Sequence, residues 1–338
     1  MRQRAALRLA LITAFAVAVL YGSTYQQFRF FSLAAPGGAI DAVEYVRIAR
    51  GDPAVDLAGP HHYRWLTPAA ARLILPAVDR GIQDPELAVR LSFYLVNFGF
   101  STATCVILFA LLQAMGFSPV LSLLGVCAFA SSRATVLVTA TPMVDAVYYC
   151  AVAGAIYLIV AKRTLALVLV LPLLALSKET ILPFLLLPLM TELRRSRAYW
   201  ASLAGALLLF VASTRIVDAF YLVEGPSVAD SVLDHVAEVA PSLLGFLTLG
   251  GIHEFQSGFS FLLPLAVIGA WLNARHRYHS VPVVVVATVP IALGLALLSG
   301  NTGRMFFASF PAVIAYALIS IEHVARSYAP GFNAVREP

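Results

Sequence analysis

The residues able to do chemistry are concentrated in one stretch of the chain. Residues 37–73 carry Asp41, Glu44, Arg47, Arg50, Asp52, Asp56, His61, His62 and Arg64, in a sequence of which only 12% is charged. Over residues 40–50 the spacing predicts a short helix on which Asp41, Glu44, Tyr45 and Ile48 share a face at i, i+3, i+4 and i+7. Two carboxylates one turn apart could hold a divalent metal through oxygen ligands, or divide acid and base work between them. They also fit a solvated helix face on which Glu44 simply pairs with Arg47.

His61, His62, Tyr63, Arg64 and Trp65 follow as an unbroken run. Histidine can shuttle a proton or ligate a metal, arginine can grip a phosphate through two hydrogen bonds, and the aromatics can stack on a sugar ring. Adjacent histidines alone do not define a metal site, and anchoring at a membrane interface accounts equally well for Tyr63 and Trp65. Thr67 and Pro68 then mark the start of a further helix, apolar through residue 78, that suits the membrane surface.

What must position these residues is a membrane-embedded scaffold. The 338 residues are 60% hydrophobic with a mean hydropathy of +0.84, against about 25% charged residues in an ordinary soluble domain. Apolar runs of roughly 17–25 residues separated by short charged connectors predict an all-α polytopic membrane protein, a single integral membrane domain over residues 1–338. The net charge of +5 does not indicate nucleic acid, because the basic residues are scattered among connectors and no base-stacking motif is present. Cys105, Cys127 and Cys150 lie within apolar segments without metal-ligand spacing and read as packing residues. Motifs for nucleotide binding, zinc proteolysis or serine hydrolysis are absent.

Arg2, Arg4 and Arg8 precede the apolar run 9–21, which reads as an uncleaved first anchor with its N-terminus in the cytoplasm. A first outer loop spans 26–85. Crossings are expected at 86–115, 120–131 (with the chain emerging near Arg133), 142–160, 200–216, 259–272, 281–298 and 305–321. The short apolar runs 164–176 and 181–190, broken by Ser177, Lys178, Glu179 and Thr180, fit either one broken crossing or a pair that dips in and returns. The pair keeps Arg194, Arg195, Arg197, Arg275 and Arg277 on the cytoplasmic side and is preferred for that reason. About ten crossings result, with both termini cytoplasmic and a second outer loop at 217–257 that contains an interfacial apolar stretch, 240–252.

Ionisable side chains at membrane depth are costly, so Asp145, Lys178, Glu179 and Arg304 are candidates for function. The competing reading is that Lys178 and Glu179 merely satisfy one another. The expected topology puts Asp41, His61, Arg64, Asp145, Lys178, Glu179 and Arg304 on one side, where they could converge. His235, His253 and Glu254 share that side without distinctive spacing and are assigned mainly to loop structure.

These residues resemble those of the membrane glycosyltransferases of the GT-C superfamily. The similarity rests on the acidic DAVEY segment after the first span, the HHYRWLTP segment before a surface helix, the SKET break and the GRMFFASFP segment opening the last span. It implies that Asp41 acts as general base or positions the acceptor, supported by Glu44. It implies also that Lys178 and Arg304 hold the phosphate of a polyprenyl-phosphate sugar donor whose lipid lies between spans. A divalent metal could assist. The partners implied are a lipid-linked sugar donor, a glycan, lipid or protein acceptor and membrane lipid, in a bacterial inner (plasma) membrane. The sequence lacks the soluble C-terminal domain of many members. The alternatives are a transporter or flippase of a lipid-linked or small polar substrate, which would place charges and broken helices near the bilayer midplane, and a non-catalytic membrane partner.

Overall fold

Helices start in this chain where a polar cap or a proline makes a start inexpensive. Asp84 caps the helix beginning at Pro85 by accepting from the backbone N–H groups of Glu86 at 2.9 Å and Leu87 at 3.3 Å. Ser118, just before Pro119, accepts from Leu121 N–H, and Ser132 accepts from Thr135 N–H. Each satisfies an amide that the first helical turn leaves without a partner.

The computed structural model describes residues 2–33, 40–52, 64–221, 253, 256–298 and 302–328, and among these the chain is all-helical. The helices are α1 (Arg2–Phe30), α2 (Ile40–Arg50), α3 (Leu66–Asp79), α4 (Pro85–Ala114), α5 (Pro119–Ala130), α6 (Arg133–Ala140), α7 (Asp145–Val160) and α8 (Thr164–Leu174). After short 3₁₀ and α turns that include α9 (Leu182–Leu185) come α10 (Arg197–Tyr221), α11 (Leu262–His276), α12 (Val283–Val286) and α13 (Thr288–Leu297). The last are α14 (Thr302–Phe306) and α15 (Phe310–Tyr328), joined by a 3₁₀ turn.

Among the described residues four helices are long and apolar enough to cross a membrane, or five if the pair α5 and α6, bent by 59°, counts as one. The segments at 145–160, 164–174, 179–190 and 283–297 are apolar but shorter. The expected spans thus correspond to helices, several of them too short or too bent to qualify individually. Two boundaries differ from the sequence reading. α1 continues to Phe30, past the expected loop start at Gln26, because its last turns remain bulky and helix-compatible. The chain also continues as helix at Arg133, where Ser132 caps a new helix, α6, bent by 59° from α5.

Leu73, Leu165, Leu208, Phe261 and Val267 are all more than 60% exposed. A water-soluble protein buries side chains of this kind, whereas a surface facing hydrocarbon does not need to. Inside the bundle, several buried polar residues find partners on other helices. Ser101 and Thr139 hydroxyls lie 2.7 Å apart, and Asn97, wholly buried on α4, donates to the carbonyls of Thr141 and Met143, each at 3.0 Å. These bonds hold the short non-helical turn at Thr141–Pro142–Met143, where α6 stops and α7 starts.

α8 runs back along α7, returning to the level of Asp145 at Lys178. The segment after it reverses, and at the start of α10 Ser202 donates to the carbonyl of Val168 at 2.5 Å. The chain between α8 and α10 therefore reverses its direction. α11 and α15 approach closely along Gly269, where an added Cβ would sit 1.7 Å from the Tyr316 carbonyl oxygen. Gly116, with φ +87, ends α4 in the left-handed region that glycine enters without strain. Its neighbour Phe117 stacks on His279, ring centroids 4.1 Å apart. Glu322 accepts from both His279 and Arg326 at 2.5 Å, a clasp at the end of α15 far from Arg304.

Candidate functional site

α7 places Asp145 at its first residue, where the helix N-terminus favours a negative charge. Tyr148 and Tyr149 follow at i+3 and i+4 and therefore share its face. Tyr149 donates its hydroxyl to the backbone carbonyl of Arg304 at 3.0 Å, fixing the start of the last long helix against α7. Arg304 reaches across with both terminal nitrogens. Its Nη1 lies 3.3 Å from Asp145 Oδ2, and its Nη2 lies 2.9 Å from Asp41 Oδ2 on α2.

The other oxygen of Asp145 is taken by Lys178. Lys178 Nζ donates to Oδ1 at 2.7 Å, and both side chains are 2% exposed. The ammonium also lies 5.6 Å from the centre of the Tyr148 ring, a distance at which ring and cation attract. Met143 Sδ touches Arg304 Nη1 at 3.6 Å and Met305 Sδ lies 3.9 Å from Lys178 Nζ. The two thioethers wall the ions with polarizable atoms. Leaving two charges in so dry a place is tolerable only because each has its counter-ion in close geometry.

Glu179, next in sequence, turns to a different partner. Arg64, between α2 and α3, donates its Nε to both Glu179 oxygens at 3.0 Å and pairs through Nη2 as well. Its Nη1 donates to the Tyr45 hydroxyl at 3.1 Å. Burial opposes the charge on Arg64, but the Glu179 carboxylate and Tyr45 together outweigh it and hold the guanidinium charged well beyond the usual range. Burial, only partly opposed by Arg64, pushes the Tyr45 phenol far above its usual range.

Asp41, Arg64, Asp145, Lys178, Glu179 and Arg304 thus converge from α2, the α2–α3 connector, α7, the SKET break and α14. Lys178 and Glu179 do not satisfy one another; each finds its partner elsewhere in the cluster. Glu44 is on the same helix as Asp41 and is 9% exposed, not set on a solvated face. His61 and His62 lie outside the described residues, as do His235, Glu254 and the stretch 240–252. His253 is exposed. Among the described residues no three His, Cys, Asp or Glu side chains group as metal ligands.

Three contributors were not singled out from the sequence. Tyr148 and Tyr149 follow Asp145 directly in the span, and aromatic residues there carry no signal of their own. Asn97 offered a signal, an amide inside a strongly apolar helix, and its two hydrogen bonds hold the turn from which Asp145 is presented.

An apolar groove of about 440 Å³ lies beside the cluster, between α4, α7 and α8. Leu66 and Ser177, next to the charged residues in sequence, line it together with Phe100, Val147, Cys150 and Leu158. From Val147 to Leu158 it follows α7 for about 16 Å, at 1.5 Å per helical residue. No protein-family model matches the chain, and no curated protein matches it.

Proposed function

We propose that the protein is a GT-C-type membrane glycosyltransferase that moves a sugar from a polyprenyl-phosphate donor to an acceptor on the periplasmic or extracellular face of a bacterial inner membrane. The observation that carries this reading is the adjacency of a charged cluster to an apolar groove. The cluster offers a carboxylate, Asp41, beside a cation, Arg304, and the groove offers a hydrocarbon chain somewhere to lie. A lipid-linked phosphate sugar presents these two chemistries, a phosphate head and an apolar tail.

In this reading Asp41 takes the proton of the acceptor hydroxyl as its oxygen attacks the anomeric carbon, and the bond from that carbon to the phosphate oxygen breaks. The electron pair leaves with the phosphate, whose growing negative charge is stabilised by the fixed guanidinium of Arg304. Lys178 is too buried beneath Asp145 to be the first contact of a phosphate. It holds Asp145, which in turn aims Arg304. Arg64 and Glu179 tie the outer loop to the SKET break. Both termini are cytoplasmic, and the acceptor, whether glycan, lipid or protein, arrives from the outer side.

The test is transfer of radiolabelled sugar from synthetic polyprenyl-phosphate sugars by the purified protein in nanodiscs. Activity in the wild type and its loss in Asp41→Asn, with unchanged insertion and elution profile, are expected. Full activity of Asp41→Asn would remove Asp41 from the chemistry.

A second reading, a transporter or flippase, draws on one observation. The Asp145–Lys178 pair is deeply buried beside a broken helical segment, an arrangement also suited to coupling charge to alternating access. Movement of lipid-linked substrate across proteoliposomes without any sugar transfer would favour it.

A further inference from the structure

A glycine weakens a helix interior, and in a membrane bundle a close approach of two helices is the usual reason for one. Gly125 and Gly269 are of that kind, since an added Cβ would lie 2.5 Å from Leu112 Cδ1 and 1.7 Å from the Tyr316 carbonyl oxygen. Gly154, midway along α7, is not. An added Cβ there meets nothing within 4 Å, although Val152, Ala153, Ala155 and Ile156 around it are at most 1% exposed. Gly22, Gly99, Gly205 and Gly294 are open as well, but they do not line the groove between α4, α7 and α8, whereas Gly154 does.

The groove has the width of one hydrocarbon chain. About 440 Å³ spread along the roughly 16 Å that it follows α7 leaves a cross-section of about 27 Å², about 5 Å across. Carbons in contact stay about 4 Å apart, so one chain fits and two side by side do not. Leu173, on the α8 wall, is 61% exposed, so the groove opens sideways to the face that meets hydrocarbon. At the other extreme Ser177 adjoins Lys178, and a tail in the groove has its head at the charged cluster. From Asp145 to Gly154 α7 rises about 13 Å. An extended chain gains about 1.2 Å per bond, so the third four-bond isoprene unit is the one that reaches Gly154.

We infer that Gly154 is a specificity-determining residue for the donor's lipid, its missing side chain letting a single prenyl tail run along α7 beyond its third unit. The inference rests on the reading of the protein as a transferase with a polyprenyl-phosphate donor, and adds the number and minimum length of the tails it takes. A chain of two units ends before Gly154 and takes nothing from it. A longer one lies over it, and each CH₂ buried there adds to binding.

Binding is measured on the full chain in nanodiscs with decaprenyl phosphate and geranyl phosphate. Both are monoesters, carrying the head that transfer from the diester donor releases. Gly154→Leu should lower the ratio of decaprenyl to geranyl phosphate affinity by about tenfold or more, since excluding about two CH₂ groups suffices for that. Gly294→Leu, open but off the groove, should leave the ratio where it is. Farnesyl phosphate with a diazirine on its terminal unit should label the wild type on α7 within residues 150–158 or on α8 within residues 170–174, a readout that needs no variant to fold. An unchanged ratio in Gly154→Leu, the same fall in Gly294→Leu, labelling elsewhere, or no binding of decaprenyl phosphate by the wild type overturns the inference. Dioleoyl phosphatidic acid brings two acyl tails, and binding that matches decaprenyl phosphate and falls equally with Gly154→Leu overturns the single prenyl occupant. A selective loss in a protein that transfers sugar from no polyprenyl-phosphate donor upholds the role of Gly154 and defeats the glycosyltransferase reading, so the two fail separately.

Discussion

Asp145 and Lys178 form an ion pair of 2.7 Å in which 2% of either side chain is exposed. The same carboxylate also accepts from Arg304 at 3.3 Å, so one buried anion organises cations that lie 33 and 159 residues after it in the sequence.

Breaking this pair from one side should be worse than removing it whole. Lys178→Met leaves Asp145 with Arg304 alone and should lower stability by about 3–5 kcal/mol, the usual cost of stranding a buried charge. Combining it with Asp145→Asn should recover a large part of that loss while leaving activity absent. Thermal melts of the detergent-purified single and double variants check this; a double variant no more stable than Lys178→Met would mean that the pair is not the source of the cost.

Asn97→Ala should destabilise by about 1–3 kcal/mol, because it strips the carbonyls of Thr141 and Met143 of buried partners. Activity should fall further than stability does, since the turn held by Asn97 presents Asp145. Comparing residual activity with folded fraction at one temperature separates the two effects. A proportional loss would assign Asn97 to stability alone.

Gly269→Ala should prevent α11 and α15 from packing, because the new Cβ would lie 1.7 Å from the Tyr316 carbonyl. Gly294→Ala, where the added carbon meets nothing within 4 Å, is its control and should change melting little. Size-exclusion profiles of the two variants read the difference directly, and a well-behaved Gly269→Ala would contradict the close approach.

Tyr45 links pH to stability. Its phenol titrates far above the usual range in the folded protein, whereas an unfolded tyrosine ionises near about pH 10. The raised value contributes stability that is complete below about pH 10 and is lost as pH rises beyond it, because only the unfolded chain then gives up the proton. Tyr45→Phe should therefore melt lower than the wild type at pH 8, having lost the Arg64 hydrogen bond, yet decline less steeply between pH 10 and 11. Parallel slopes would show that the phenol plays no part in the alkaline transition.

The scaffold was legible because apolar runs and their caps are local. The apolar runs expected from 86 and from 120 are helices that begin one residue earlier, at Pro85 and Pro119, behind the caps Asp84 and Ser118. α6 was not expected, because the apolar run of the third span stops at Ser131; Arg133 is the first residue of a helix capped by Ser132. Asp41, Arg64, Asp145, Lys178, Glu179 and Arg304 stood out as charges in an apolar chain, and the coarse expectation that they share one end was enough to gather them. Their pairing was not legible. Lys178 and Glu179 are neighbours in sequence, and nothing in their spacing tells that one turns to Asp145 and the other to Arg64. That division depends on how the chain reverses after α8, a non-local event. Asn97 could have been noticed, since an amide in a hydrocarbon-facing helix needs partners, but which carbonyls it would serve depended on a break in a different helix.

The separation of Asp145 from its cations along the chain also bears on how the protein is made. Lys178 is synthesised 33 residues after Asp145, and Arg304 is 159 residues after it. In the membrane reading proposed above, α7 emerges from the ribosome with an uncompensated carboxylate, and hydrocarbon will not accept it until Lys178 has followed. α7 and α8 must therefore enter the bilayer together as a hairpin, with the carboxylate waiting at the water boundary for its lysine. Arg304, arriving last, closes an assembly that is already in place, and the order of translation becomes the order in which the site is built.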